Sequence, residues 1–269
     1  MRHAPRALFA AAALAAPVFV AGCGGEDSER AAVRSYLERV NEVQSAQKEV
    51  LVRADTVLRG YAESKPIGAP ALAGVEADVR RVRAQVAAVP PPSAAREVHD
   101  SLLDIYDLDA DLVAETERMV RYQDAAPAAL APLDRASSRL RLDLDRAKTP
   151  AAQARALDRF GDTLGRASKR LDGLDVPVLL EPAHAVQVKR LGSTRTLSGQ
   201  LESAVRKKDS RRVAKLLLRF RKSSSSKREE RRLTQRGIKA YTARLQQLTE
   251  AQTELGRAQA RLNRTFRTS

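Results

Sequence analysis

The chain has 269 residues with a formal net charge of +15 at pH 7, 4% aromatic residues, no Trp and a single Cys. Ala, Leu and Arg, which cost least in a helix, are abundant, while the aromatic residues that strands favour are scarce, so a sheet protein is excluded and helices packed through small and aliphatic side chains are expected. A lone cysteine leaves no disulfide within the chain, and packing alone must hold the fold.

Arg2 and Arg6 form a short positive lead, Ala7 to Val20 is uncharged and almost wholly apolar, and Val20-Ala21-Gly22-Cys23 closes the stretch with small residues. The apolar run is too short to cross a bilayer as a permanent helix, and its flanks are those of a cleavable export segment. The stretch resembles a bacterial lipoprotein signal. By that resemblance residues 1–22 are removed, Cys23 takes a diacylglyceryl thioether, its new amino terminus is acylated, and residues 23–28 tether an extracytoplasmic body to the cell membrane. Gly24 follows the cysteine, so no acidic retention residue stands there. More than one acyl chain gives stable anchoring. No second apolar run of about 20 residues follows, so no other membrane-spanning helix is expected.

In chain order, the body reads as helix after helix. The first spans about 29–64, with Val33, Val40, Gln47, Ala54 and Tyr61 every seven residues, and stops at Lys65-Pro66-Ile67-Gly68-Ala69-Pro70. A second runs from about Ala71 to Val89, through Leu72, Val75, Val79, Val82 and Val86, and ends at Pro90-Pro91-Pro92. Ser93 caps a third that reaches about Asp124; Pro127 breaks the chain, and Pro132 opens a fourth that ends near Thr149. Pro150 starts a fifth through Leu157, Phe160, Leu164 and Leu171, Glu181-Pro182 a sixth to about Lys208, and Asp209 caps a seventh. The last, about 227–266, repeats Tyr241, Leu248, Leu255 and Leu262 in heptads, with Ile238, Leu245 and Phe266 beside them. Matching heptads predict that the two long terminal helices lie along each other in a coiled-coil manner, the alternative being a second molecule as partner.

Shifting the chain by 85 residues lays the apolar row Leu72 to Val89 on Leu157 to Leu174, Pro92 on Pro177, His99 on His184 and Asp124 on Asp209. An internal duplication follows, with repeat one at about 71–149 and repeat two at about 150–222, each a helical hairpin. The expected fold is therefore all-α, an elongated antiparallel bundle of about seven or eight helices filling residues 29–269. The Ala- and Arg-rich helical body is similar to uncharacterised lipoproteins of high-GC bacteria, a resemblance that implies no activity.

The charge is uneven. From Gln187 onward 23 Lys and Arg face 6 Asp and Glu, against 25 and 27 before it. The densest stretch, Arg206, Lys207, Lys208, Arg211, Arg212, Lys215, Arg219, Arg221, Lys222, Lys227, Arg228, Arg231 and Arg232, is suited to anionic lipid headgroups or phosphate-bearing envelope polymers. Nucleic acid is a poorer match, because stacking aromatics are nearly missing. His99, Tyr106 and His184 are candidates to line a ligand cleft between the repeats. Two histidines with no fixed spacing make a weak metal signal, and Asp107-Leu108-Asp109-Ala110-Asp111 lacks the glycine and glutamate of a calcium loop, with Leu112 and Arg118 in their places. The carboxylates Asp100, Asp104, Asp107, Asp111 and Glu115 line one side of their helix and are expected to meet arginines or water. No phosphate loop, nucleophile elbow or zinc helix occurs, so neither an enzyme nor a cofactor is expected. The sequence thus reads as a lipid-anchored interaction or scaffolding protein, the alternative being a ligand-binding lipoprotein; partner identity and oligomeric state are left open.

Overall fold

The structure is a computed structural model describing residues 25–63, 65–225 and 228–267. The export segment, Cys23, Gly24 and Lys227 lie outside the described residues, and so do the side chains of Arg221 and Lys222. Among the described residues there is no strand. The helices are α1 (Gly25–Ala46), α2 (Lys48–Ala62), α3 (Ala69–Leu72), α4 (Val75–Ala87), α5 (Arg96–Arg146), α6 (Pro150–Asp172), α7 (Glu181–Arg206), α8 (Ser210–Ser225) and α9 (Arg228–Arg267), with 3₁₀ turns at Ser93–Ala95 and Val178–Leu180. An all-α helical bundle is the result.

Several boundaries differ from those the sequence suggests, each for a local reason. The helix α1 already starts at Gly25, inside the expected tether. The expected first helix is interrupted at Gln47, whose φ of −108° and ψ of 15° leave the helical region although no proline or glycine is near. Ahead of α4, Gly74 takes a φ of +78°, open to glycine at no steric cost, and splits a short turn from the main helix. Conversely, Pro127 and Pro132 lie inside the continuous 51-residue α5. Each removes one backbone donor and crowds the preceding turn, at about 3 kcal/mol. Burial of Ala126 and Ala129 in a cluster with Phe160, Leu164, Leu171 and Leu191 offsets that cost.

Elsewhere the punctuation works as read. Thr149 accepts a hydrogen bond from the Ala152 amide at 3.2 Å, and Pro150 needs no donor in the first turn of α6. At the head of α8 the Asp209 carboxylate accepts from the Arg212 amide at 3.0 Å.

The chain divides into two compact units, one formed by residues up to Glu117 with those from Tyr241 onward, the other by Arg118–Ala240. The dividing points fall within α5 and α9, so the units differ from the repeat boundaries near 71, 150 and 222. In the first unit Val33, Tyr36, Val40, Leu58, Val75, Val79, Val82, Val86, Leu102, Leu248 and Leu255 are buried. There, α9 runs antiparallel to α5: Thr116 pairs with Tyr241 at 2.6 Å at one end, and Glu97 pairs with Arg261 at the other. Tyr61 and Tyr241, members of the two terminal heptads, meet edge to face with ring centroids 5.3 Å apart. Ile238, expected beside that heptad, is exposed.

In the second unit α6 and α7 bury Phe160, Leu164, Leu171 and Leu191 with the second half of α5, while α8 brings Leu216 onto Leu157, Leu201 and Ala204. Gly237 of α9 lies so close to the 3₁₀ turn at Val178–Leu180 that a Cβ there would collide with the Leu179 carbonyl oxygen.

Each unit carries a helix bearing a tyrosine, a later helix that leads into a 3₁₀ turn, and a helix bearing a histidine after it, with α2 and the short α3 intervening between the first two in the first unit. The two 3₁₀ turns, the ends of α4 and α6, and the starts of α5 and α7 all fall 85 residues apart. In the first unit the Tyr36 hydroxyl meets His99 Nδ1 at 3.1 Å, and in the second the Tyr122 hydroxyl meets His184 Nδ1 at 3.1 Å. The ring centroids are 5.9 and 5.8 Å apart. The tyrosines stand 86 residues apart and the histidines 85, a one-residue difference that arises between the tyrosine and the end of α4 or α6.

Candidate functional site

Of the residues expected along a ligand cleft, His99 and Tyr106 lie in the first unit and His184 in the second. All three are buried, and each has one polar atom hydrogen-bonded inside its own unit. His99 and His184 join the tyrosines just described, while the Tyr106 hydroxyl accepts from Gln44 Nε2 at 2.8 Å. Burial holds the His184 imidazole below its usual pKa, with the Asp172 carboxylate pulling the other way. Burial raises the Tyr122 phenol, and Glu230 adds to the rise. These are interior hydrogen bonds of a joint repeated in both units, and each uses the Nδ1 atom of its imidazole. Among the described residues no group of three or more His, Cys, Asp or Glu side chains is placed to hold a metal ion.

The acidic side of α5 is matched by arginines of α4. Arg83 takes Asp107 through both nitrogens at 3.1 to 3.2 Å, and Arg80 reaches Asp111 at 3.0 Å. These charges are partly to fully exposed, so they set register more than stability.

Deeper on the same helix lies a polar group that sequence reading passed over. The Asp109 Oδ1, Asp55 Oδ1 and Gln44 Oε1 atoms are buried without a hydrogen-bond partner. Burial pushes the Asp109 carboxyl up to about 7, and the Asp55 carboxylate adds to that rise. Asp55 itself is raised by burial, against the opposing pull of Arg59 on the same helix. The hint in the sequence was Asp109 lying three residues after the buried Tyr106, on the same face of a helix.

The basic region is brought to the surface. Arg206, Lys207, Lys208, Arg211, Arg212, Lys215, Arg219, Arg228, Arg231 and Arg232 are all exposed. On α8, Arg211, Lys215 and Leu218 follow one another at spacings of four and three and so share a face, with Arg212 and Arg219 beside them. Leu218 on that face is 69% exposed and Leu217 at its edge 38%. The buried side of the helix is supplied by Leu216, with Val213 and Phe220 half-buried. Asp209, the acid nearest to this face in sequence, is committed to the α8 amide.

Openings among the described residues of the second unit include two along α5. One, of about 510 Å³, is lined by α5 residues alone, from Asp134 to Arg146, and is a flank of that helix instead of an enclosure. The other, of about 330 Å³, lies between α5 and α6 and is lined by Pro132, Arg135, Ala136, Thr163, Arg166, Ala167 and Arg170. Its cations lie outside the region the sequence singled out, because they come from two helices and no local run of charge marks them.

Comparison with protein-family models, with curated proteins and with solved structures finds no match. No helix among the described residues is long and apolar enough to cross a membrane.

Proposed function

We propose that the protein is a lipid-anchored, extracytoplasmic, non-catalytic interaction protein whose second unit docks on anionic lipid through α8. The observation that carries this reading is the exposed face of that helix, on which Arg211, Arg212, Lys215 and Arg219 surround a solvent-exposed Leu218. Cations alone would serve any polyanion. An exposed leucine among them favours a headgroup surface, where the hydrocarbon enters the acyl boundary while each cation adds about 1 kcal/mol of attraction. Anchoring at Cys23 rests on the sequence pattern Val20-Ala21-Gly22-Cys23. With an acylated amino terminus holding the chain at the surface, weak electrostatic contacts act at high effective concentration.

Two measurements test the reading. Cells expressing the chain and fed labelled palmitate should transfer label to the wild-type protein and none to Cys23→Ala; label on both, or on neither, refutes the anchor. The chain from Cys23 onward, made without acyl groups, should float with vesicles rich in anionic lipid at low salt. It should be released at high salt, where the Debye length shrinks to about 3 Å. Lys215→Glu with Arg219→Glu should abolish flotation, and Leu218→Ser should weaken it at unchanged charge. Equal binding to zwitterionic vesicles, or binding only to soluble phosphate polymer, would overturn the lipid assignment.

A further inference from the structure

The groove between α5 and α6 brings Arg135 from one helix and Arg166 and Arg170 from the other around one opening of about 330 Å³, with Pro132, Ala136, Ala167 and Thr163 completing the lining. Among the described residues no carboxylate lies within ion-pair distance of these three guanidinium groups. The neighbouring cation on the same pair of helices is treated differently: Arg159 of α6 is neutralised by Asp143 of α5 at 2.8 Å. Arg166 instead donates from Nη2 to the Thr163 hydroxyl at 3.2 Å, a neutral partner that in turn donates to the Arg159 carbonyl at 3.0 Å.

The duplication supplies the control. At the 85-residue offset Thr163 corresponds to Asp78, Arg166 to Arg81, Ala167 to Val82 and Arg170 to Gln85. In the first unit Asp78 binds Arg81 at 2.9 Å and Arg53 at 2.7 Å, so the matching arginine is neutralised. Val82 is the larger counterpart of the groove-lining Ala167, and both are buried. The second copy thus has a neutral side chain in place of a carboxylate, one more cation and a smaller buried side chain, all at one place.

We infer that this groove is a binding site for a phosphomonoester. Three uncompensated guanidinium groups match the dianion of a terminal phosphate, which their planar forks bind bidentately. A volume of about 330 Å³ holds roughly ten waters' worth of ligand, more than a bare phosphate needs, so a small organic group attached to it is also accommodated. The site goes beyond the α8 docking surface and shares no residue with it.

The test uses the full chain solubilised in detergent, titrated calorimetrically with inorganic phosphate and with glycerol phosphate. Vesicles bearing a monoester headgroup form a separate arm, which separates a lipid source from a soluble one. One saturable site is expected for at least one of the three probes, with affinity for a monoester rising from pH 5 to pH 7.5 as its second proton leaves near pH 6. Arg166→Gln with Arg170→Gln should lower the affinity at least tenfold. Thr163→Asp, which imports the carboxylate of the first unit, should do the same while leaving the melting temperature unchanged or higher. Arg211→Gln with Lys215→Gln on α8 should leave phosphate affinity within twofold, although it weakens vesicle docking. Saturable binding to none of the probes would overturn the site, and so would binding untouched by Thr163→Asp or lost equally in the α8 variant. Each of those results leaves the flotation experiment to be decided on its own.

Discussion

At Asp78, Arg80, Arg81 and Arg83 the first unit carries a run of charges that find partners: Arg81 on Asp78, Arg80 on Asp111, Arg83 on Asp107. At the matching positions the second unit has Thr163, Gly165, Arg166 and Ser168, and opposite them Gly192 and Thr196 stand where Asp107 and Asp111 would be. Both members of two ion pairs are thus absent together from the second unit, while Arg166 stands there without the acid that its counterpart Arg81 has. The interiors differ in the reverse sense. The first unit buries Tyr106 and the Oδ1 atom of Asp109, whereas Leu191 and Thr194 occupy those places in the second, Leu191 inside a hydrocarbon cluster. The first unit thus leaves Asp109 Oδ1 and Asp55 Oδ1 buried without a hydrogen-bond partner, while the second carries Arg135, Arg166 and Arg170 exposed on its surface. The Tyr–His joint, kept in both, belongs to the frame and not to whatever the surfaces do.

The comparison breaks most visibly at Gly237. Gly237→Ala sets a methyl group against the Leu179 carbonyl, and backbone cannot yield as a side-chain tip can. A loss of about 3 kcal/mol is expected. Hydrogen exchange should show protection falling in α7 and the first part of α9 while α1 and α4 keep theirs. Loss of protection in both units alike would mean that they unfold as one body.

Asp109→Asn should act in the opposite direction and on the first unit alone. The carboxyl, raised from 3.8 to about 7, holds its proton in the fold and releases it in the unfolded chain, so stability falls as pH rises between about 4 and 7. An amide has no proton to hold. The variant should therefore match wild type near pH 4 and exceed it by about 2 kcal/mol above pH 7.5, read from denaturant midpoints. A gain independent of pH, or a loss at high pH, would show that burial does not govern this carboxyl.

Removing the tyrosine hydroxyls sharpens the match between the frames. Tyr36 is fully buried and Tyr122 half-buried. Tyr36→Phe, which strands a buried imidazole nitrogen, should cost about 2 kcal/mol, and Tyr122→Phe about 1 kcal/mol because water can replace the lost partner. Equal costs would mean that the second joint is as dry as the first. Loss of His184 stability at low pH accompanies this: its depressed pKa makes the fold prefer the neutral ring, so stability falls as pH drops through the ordinary histidine range.

Much of the helical frame could be read from apolar spacing and punctuation, since Val33, Val40, Ala54, Leu248, Leu255 and Leu262 are buried where their heptads put them. The breaks were legible only where the local chain decides them. Pro150 and Asp209 act within one turn, but Pro127 and Pro132 are overruled by the burial of Ala126 and Ala129 against other helices. Gln47 breaks a helix with no local breaker at all, and the structure offers no single contact that accounts for it. The candidate sites divide the same way. A run such as Arg211-Arg212 announces itself, whereas Arg135 meets Arg166 only through the packing of α5 on α6. The missing acid at Thr163 is visible solely by aligning one half of the chain on the other.

The smallest effect tests whether the lost ion pairs mattered. Arg83 and Asp107 form a two-pronged contact, yet their side chains are 37% and 46% exposed. Water competes for both, and freezing two side chains costs entropy, so the coupling measured by a double-mutant cycle of Arg83→Ser and Asp107→Asn should be about 0.5 kcal/mol. It should fall further in high salt. On that value the second unit does without the pair at almost no cost in stability, and its α6 surface is under no constraint from it. A coupling above about 1.5 kcal/mol that salt does not touch would reverse the argument: the pair would be part of the first unit's frame, and its absence from the second would need a compensating contact there.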